Sequence, residues 1–175
     1  MKQFSLILIF CLATIFSCQR AEVLSRSFID DALEGVLITH DKDIWDGGII
    51  PPKYSFICDL IFYSDGTCRQ CYRKINGDNI IHLYHILYWS VDSANKSITL
   101  TDPEILKNMP EYAVGVLKIE KYKKSHYTLV GNLPMPNIQA YNEHEINGII
   151  GDSELRAEYE SKYIDEKECI EELEQ

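Results

Sequence analysis

The chain lacks an excess of positive charge, an apolar run of membrane-spanning length and any internal repeat. Its 175 residues carry 27 Asp+Glu against 17 Lys+Arg, a formal charge of −10. Phosphate binding needs clustered lysine and arginine to displace counterions, so this balance argues against a nucleic-acid partner. It argues equally against docking on an anionic membrane through a polybasic face. No Gly-rich phosphate loop appears, and no nucleophile–base pair can be picked out. The chain therefore reads as a non-enzymatic protein without a cofactor. What is present is ordinary for a globular protein: 46% of the residues are hydrophobic, too many for a disordered chain. The length suits one domain and is short for two.

The longest apolar run, Phe4 to Phe16, is broken only by Ser5 and Thr14 and is preceded by a single positive charge, Lys2. Thirteen helical residues reach about 20 Å, short of a hydrocarbon core of about 30 Å. The run fits an export signal better than a spanning helix. It stops at Ile15-Phe16-Ser17-Cys18, with polar Gln19-Arg20 next. Those four residues resemble the lipobox of Gram-negative bacterial lipoproteins. The resemblance implies diacylglycerylation of the Cys18 thiol, cleavage just before it and palmitate-type acylation of the new amino group. Each buried CH₂ is worth about 0.8 kcal/mol, so two or three chains hold a protein stably where one does not. Gln19 replaces the Asp that retains such lipoproteins in the inner membrane, which implies the outer membrane. Residues 19–22 lack the acidic run associated with surface display, which favours the periplasmic face.

The pattern divides the chain into a signal peptide (1–17), a lipidated tether with a short helix (18–34), a β domain (35–150) and an acidic C-terminal helix (151–175). Phe28, Ile29, Ala32 and Leu33 recur at helical spacing. Gly35 opens the β-branched run 36–39, and a loop with Gly47-Gly48 and Pro51-Pro52 follows. Tyr54–Tyr63 and Thr67–Ile75 read as a hairpin about Asp65-Gly66. A two-residue turn there would set Leu60 opposite Cys71, Cys58 opposite Arg73 and Asp59 opposite Tyr72. Strands at 80–91 and 97–101, then a hairpin of 112–121 and 126–131, complete about seven strands, with one helical turn expected within 103–110. Ser153, followed by acidic residues, reads as the N-cap of the last helix.

Consecutive antiparallel strands of this length tend to close, because closure removes exposed edges. The expected fold is mainly β, an antiparallel meander closing into a small barrel with a C-terminal α-helix. Leu33-x-Gly35, the run Leu60 to Thr67, Tyr88-Trp89-x-Val91 and Ser97-Ile98-Thr99-Leu100 together resemble the lipocalin-like (calycin-like) lipoproteins. Lipocalins usually carry Trp two residues after the first glycine; here Leu37 stands there.

Several constellations point to chemistry. Cys68-x-x-Cys71 lies on a returning strand without the helix N-terminus that a redox pair needs. Adding His82 and His85 approaches a zinc pattern, but two strand histidines three apart point to opposite faces. Cys58 and Cys71 share a face in the expected register, so an exported chain could bridge them. Asp59, in an apolar strand, is either a polar anchor in a cavity or a cross-strand partner of Lys74. His82, Tyr84 and Tyr88 line one face of their strand and are candidate ligand-binding residues with Asp59. His144, between two glutamates, reads as a solvated loop residue. The function expected is a lipid-anchored envelope binding module for a small apolar or glycan ligand at the barrel mouth. The alternative is an interaction protein that engages another envelope protein through its outer sheet face or its acidic helix.

Overall fold

The computed structural model describes residues 25–39, 53–76, 78–134 and 144–173. Helix α1 covers 25–34. Eight antiparallel strands follow: β1 (Leu37–Thr39), β2 (Lys53–Phe62), β3 (Thr67–Asn76), β4 (Asn79–Asp92), β5 (Ser97–Thr101), β6 (Val114–Lys123), β7 (His126–Gly131) and β8 (His144–Ile150). Each pairs with the next, and β8 pairs back onto β1, with Ile38 opposite Ile149. The sheet is a closed eight-stranded meander, as expected from the hairpin pattern. The eighth strand was not foreseen: His144 begins it, opposite Gly131, and does not lie in a loop.

The β2–β3 hairpin differs by one residue from the expected register. Phe62 faces Cys68, Leu60 faces Gln70 and Asp59 faces Cys71. The turn holds three residues instead of two, with the Gly66 N–H donating to the Tyr63 carbonyl at 3.1 Å. Gly66 sits at φ 87°, the left-handed residue that such a loop requires. A second irregularity falls between Ser55 and Asp59, so Cys58 is not held opposite Arg73. The Cys58 and Lys74 side chains lie outside the described residues, as does Cys18.

Strand alternation sends one set of side chains inward. Leu37, Leu60, Phe62, Cys68, Leu87, Ile98, Leu100, Leu117 and Leu129 are all at most 1% exposed and form one core. Leu37 fills its place there without the tryptophan of the lipocalin pattern; Trp89 instead packs edge-on to Phe62 at 5.2 Å. Its indole N–H donates to the Tyr63 carbonyl at 3.0 Å, so the polar handle is satisfied. Helix α1 closes one end of the barrel. Phe28, fully buried, meets Tyr122 and Tyr127 edge-to-face at 5.4 and 5.9 Å. Gly35, directly after the helix, is required as glycine because a Cβ there would collide with the Gly151 carbonyl.

After β8 the expected single helix is three pieces: α3 (Ser153–Lys162), the two-residue strand β9 (Ile164–Asp165) and α4 (Glu166–Leu173). The N-cap of α3 is Asp152, whose carboxylate accepts from the Leu155 N–H at 2.9 Å; Ser153 is already helical. Tyr163 then turns extended, and β9 runs parallel along β4 at Leu83–Tyr84, on the edge that short β5 leaves uncovered. A short helix, α2 (Pro103–Asn108), connects β5 to β6. Asp102 caps it, accepting from Glu104 N at 2.8 Å and Ile105 N at 3.0 Å.

Helix α3 lies on the outer wall, where Val36, Ile61, Cys71 and Tyr163 form a second core with Tyr84 and Tyr159 against it. Arg156 locks it down. Its guanidinium donates to the Leu33 carbonyl, to the Gly35 carbonyl at 3.1 Å and to the Phe62 carbonyl at 2.8 Å. One side chain from the last eighth of the chain thus caps the C-terminal carbonyls of α1 and ties them to the β2–β3 hairpin.

Candidate functional site at the barrel mouth

At the end opposite α1, β1 ends and β2 begins, β3 gives way to β4, α2 lies between β5 and β6, and β7 ends and β8 begins. Here the inward face of the sheet changes character. On β3, Cys68 is followed inward by Gln70 and Tyr72; on β4, Leu87 is followed inward by His85 and Leu83. Gln70 pairs with His85 across the strands, and the Tyr72 ring stands 5.9 Å from the imidazole. His85 Nε2 lies 3.5 Å from Asp102 Oδ2 at the start of α2. An amide, a phenol, an imidazole and a carboxylate therefore converge on one level of an otherwise apolar barrel.

Their exposure grades outward. Gln70 has no accessible surface and Tyr72 is 5% exposed, while the His85 side chain is 27% exposed. A residue bordering a water-sized void would show accessible surface. The fully buried Gln70, Leu87 and Leu100 thus mark a packed interior beneath the cluster. Solvent reaches as far as His85 and stops. Burial pulls the His85 pKa down from its ordinary value, and the carboxylates of Asp102, Glu166 and Asp165 oppose this. Burial thus favours the neutral imidazole, which has one donor and one acceptor nitrogen, with Nε2 facing Asp102.

The residues singled out from the sequence for binding lie elsewhere. Asp59, His82, Tyr84 and Tyr88 all point out of the barrel, His82 pairing with Arg73 and Tyr84 with Cys71. Tyr163, the residue that follows α3, covers two of them. The Tyr163 hydroxyl donates to Asp59 Oδ2 at 2.9 Å, and the His82 ring meets Tyr163 at 5.3 Å. Tyr84 carries the Arg69 guanidinium 4.1 Å above its ring. Asp59 is neither in a cavity nor opposite Lys74. Its carboxyl is 1% exposed, and burial lifts its pKa from 3.8 to about 6 against the pull of Tyr163, Thr39, Arg73 and Lys162. Only Tyr88 remains open, at 55% exposure.

His82 and His85 point to opposite sides of β4, as the strand period required, and Cys68 and Cys71 point to opposite sides of β3, where they belong to different cores. Sequence reasoning missed the mouth cluster because its members come from three elements. The signal it offered was the inward parity of His85, on the face with Leu83 and Leu87.

Set against protein-family models, curated proteins and solved structures, the chain matches none of them. The class it belongs to is therefore defined by its architecture alone: a closed, eight-stranded antiparallel β-barrel consistent with a lipocalin-like one.

Proposed function

We propose that this protein is a lipid-anchored, non-enzymatic binding module of the bacterial cell envelope, tethered through Cys18 to the outer membrane on its periplasmic face. It takes a small ligand at the barrel mouth. The observation that carries this reading is the convergence of Tyr72, His85 and Asp102 at the solvent-accessible limit of a packed apolar barrel, with Gln70 buried behind them. A few polar groups around apolar surface are how small-molecule sites fix orientation. The packed interior leaves room only for a ligand that sits shallowly. A glycan fragment or a small amphipathic molecule, with an apolar face and hydroxyl or amide groups, suits an imidazole at the solvent limit with a phenol beside it.

Native mass spectrometry of protein isolated from its own cells tests the reading. A bound small molecule is expected, and its occupancy should fall at least about tenfold in His85→Ala, the loss of one to two hydrogen bonds to a bound ligand. A wild-type spectrum with no adduct would overturn it. Acylation is read separately: palmitate labelling should mark the wild-type chain and be lost in Cys18→Ala.

A second reading, attachment to another envelope protein, draws on one row of the outer wall. Tyr88, Thr101 and Val114 are cross-strand neighbours on β4, β5 and β6, with Val116 beside them. Tyr88, Val114 and Val116 are 55%, 37% and 41% exposed. Photo-crosslinking from position 101 in cells would yield a discrete partner under this reading and none under the first.

A further inference from the structure

The net charge of −10 is an average, and the fold does not distribute it evenly. Over residues 118–126 the chain carries four lysines and a histidine against one carboxylate, Glu120. This stretch is the end of β6, the turn and the start of β7. The turn is tight, with Lys123 opposite His126, and both central residues, Lys124 and Ser125, have positive φ, 51° and 68°. Lys121 and Lys123 project outward beside an open cleft of about 330 Å³ that Thr128 and Asn147 also line. Lys96 adds to the same end, its carbonyl accepting from the Ile119 N–H at 2.8 Å. Lys107 and Lys167, by contrast, both reach Glu104 at 3.1 Å. Among the described residues, no carboxylate lies within ion-pair distance of Lys118, Lys121, Lys123 or Lys124. Acids share this end: Glu120 is on the same strand, Asp92 and Glu145 each stand two strands from Lys118, on opposite sides, Asp92 held by the Asn95 amide at 2.7 Å and Glu145 by the Asn147 amide at 2.9 Å, and Asp30, Asp31 and Glu34 are on α1.

This end is also where the chain enters. Phe28 of α1 packs on Tyr122 and Tyr127, the paired inward residues next to the turn. Only residues 19–24 separate Cys18 from Ser25, and a fully extended chain over that interval spans at most about 25 Å.

We propose that the β6–β7 hairpin of this protein is a membrane-facing surface, in which Lys118, Lys121, Lys123 and Lys124 engage the anionic phosphate headgroups of the leaflet that holds the Cys18 anchor. The proposal rests on the lipid-anchor reading. Two features carry it: charge complementarity, and a tether too short to let this end leave the membrane. A lysine near an anionic surface gains about 1 kcal/mol there, and a covalent anchor combined with a basic patch is the two-signal arrangement that gives stable attachment. The consequence is an orientation. The plugged end lies on the bilayer, and the mouth with His85, at the opposite end of the barrel, looks away from it.

The test must not depend on acylation. Residues 19–175, which include every described residue, are tethered by an N-terminal histidine tag to vesicles containing a nickel-chelating lipid. Lysine acetylation rates are then read by mass spectrometry. On vesicles with a phosphatidylglycerol fraction, Lys121, Lys123 and Lys124 are expected to react about fivefold more slowly than on phosphatidylcholine vesicles. Lys107 and Lys167, at the far end, should not change. At molar salt, with a screening length of about 3 Å, the difference should vanish. The variant Lys121→Glu/Lys123→Glu/Lys124→Glu, altered only at exposed positions, should keep its thermal midpoint and lose protection at Lys118. Equal rates on the two vesicle types would overturn the proposal. Protection produced on neutral vesicles by soluble glycerol phosphate would also overturn it, assigning the lysines to a free anion. A chain that proves unacylated in cells would sink the anchor reading and leave these rates unchanged, so the two failures are distinguishable.

Discussion

The two ends of the barrel are built on opposite principles. At the closed end, α1 drives Phe28, Ile29 and Ala32 into the bore, where they meet Tyr122 and Tyr127, and the charges stand outside. At the mouth, polar groups stand inside the bore: Gln70, Tyr72 and His85, with Asp102 beside them. One end spends its interior on apolar contact and the other on hydrogen-bonding capacity. Stability should therefore reside mainly at the first and recognition at the second.

That division can be broken experimentally. Phe28→Ala removes the plug's fully buried ring and should destabilise the protein by about 4 kcal/mol in urea unfolding. His85→Asn at the mouth should change stability by less than about 1 kcal/mol. Comparable losses from the two would mean that the ends are not specialised.

The outer wall sharpens the contrast through pH. The folded-state pKa of Asp59, about 6, lies above its ordinary value of 3.8. The folded state thus holds this proton more tightly than the unfolded one. The stability it confers is full below about pH 4 and is lost as pH rises through 6. Two units correspond to about 3 kcal/mol. Asp59→Asn should flatten that slope and leave the variant more stable relative to wild type at pH 7 than at pH 4. If the difference between the two proteins does not vary with pH, the carboxyl is not buried as described.

Arg156→Ala should cost about 2–3 kcal/mol, because three partly buried carbonyls lose their donor at once. Arg156→Lys should recover less than half of this, since an ammonium cannot span carbonyls from α1 and β2 in the way a planar fork does. Faster amide exchange in α3 ahead of the barrel strands would locate the loss. The smallest effect is expected at Tyr88→Ser, within about 0.5 kcal/mol, since its ring is already 55% exposed.

The sequence made much of the barrel legible. Alternation along 80–91 divided β4 correctly into an inward set with His85, Leu87 and Trp89 and an outward set with His82, Tyr84 and Tyr88, because the period of two is a property of the strand itself. The hairpin at Asp65-Gly66 was located, but its register was off by one. Loop length depends on whether Gly66 takes two-residue or three-residue geometry, and both accept the same residues. The outward stripe was legible as a stripe and misleading as a site, since nothing near residue 84 says that Tyr163 will lie over it. The break of the last helix at Tyr163 was hidden for a related reason: the Asp59 carboxylate accepting from its hydroxyl lies 104 residues away.

Local pattern, then, determined the strands, their facing and the tendency to close, because backbone geometry and alternating hydrophobicity act over a few residues. The tertiary structure decided what covers each face. Arg156 reaching α1, Tyr163 shielding Asp59, the lysines of 118–124 gathering beside the plug and His85 meeting Asp102 all join residues far apart in the chain. Their energies depend on burial and distance, which exist only once the barrel has closed.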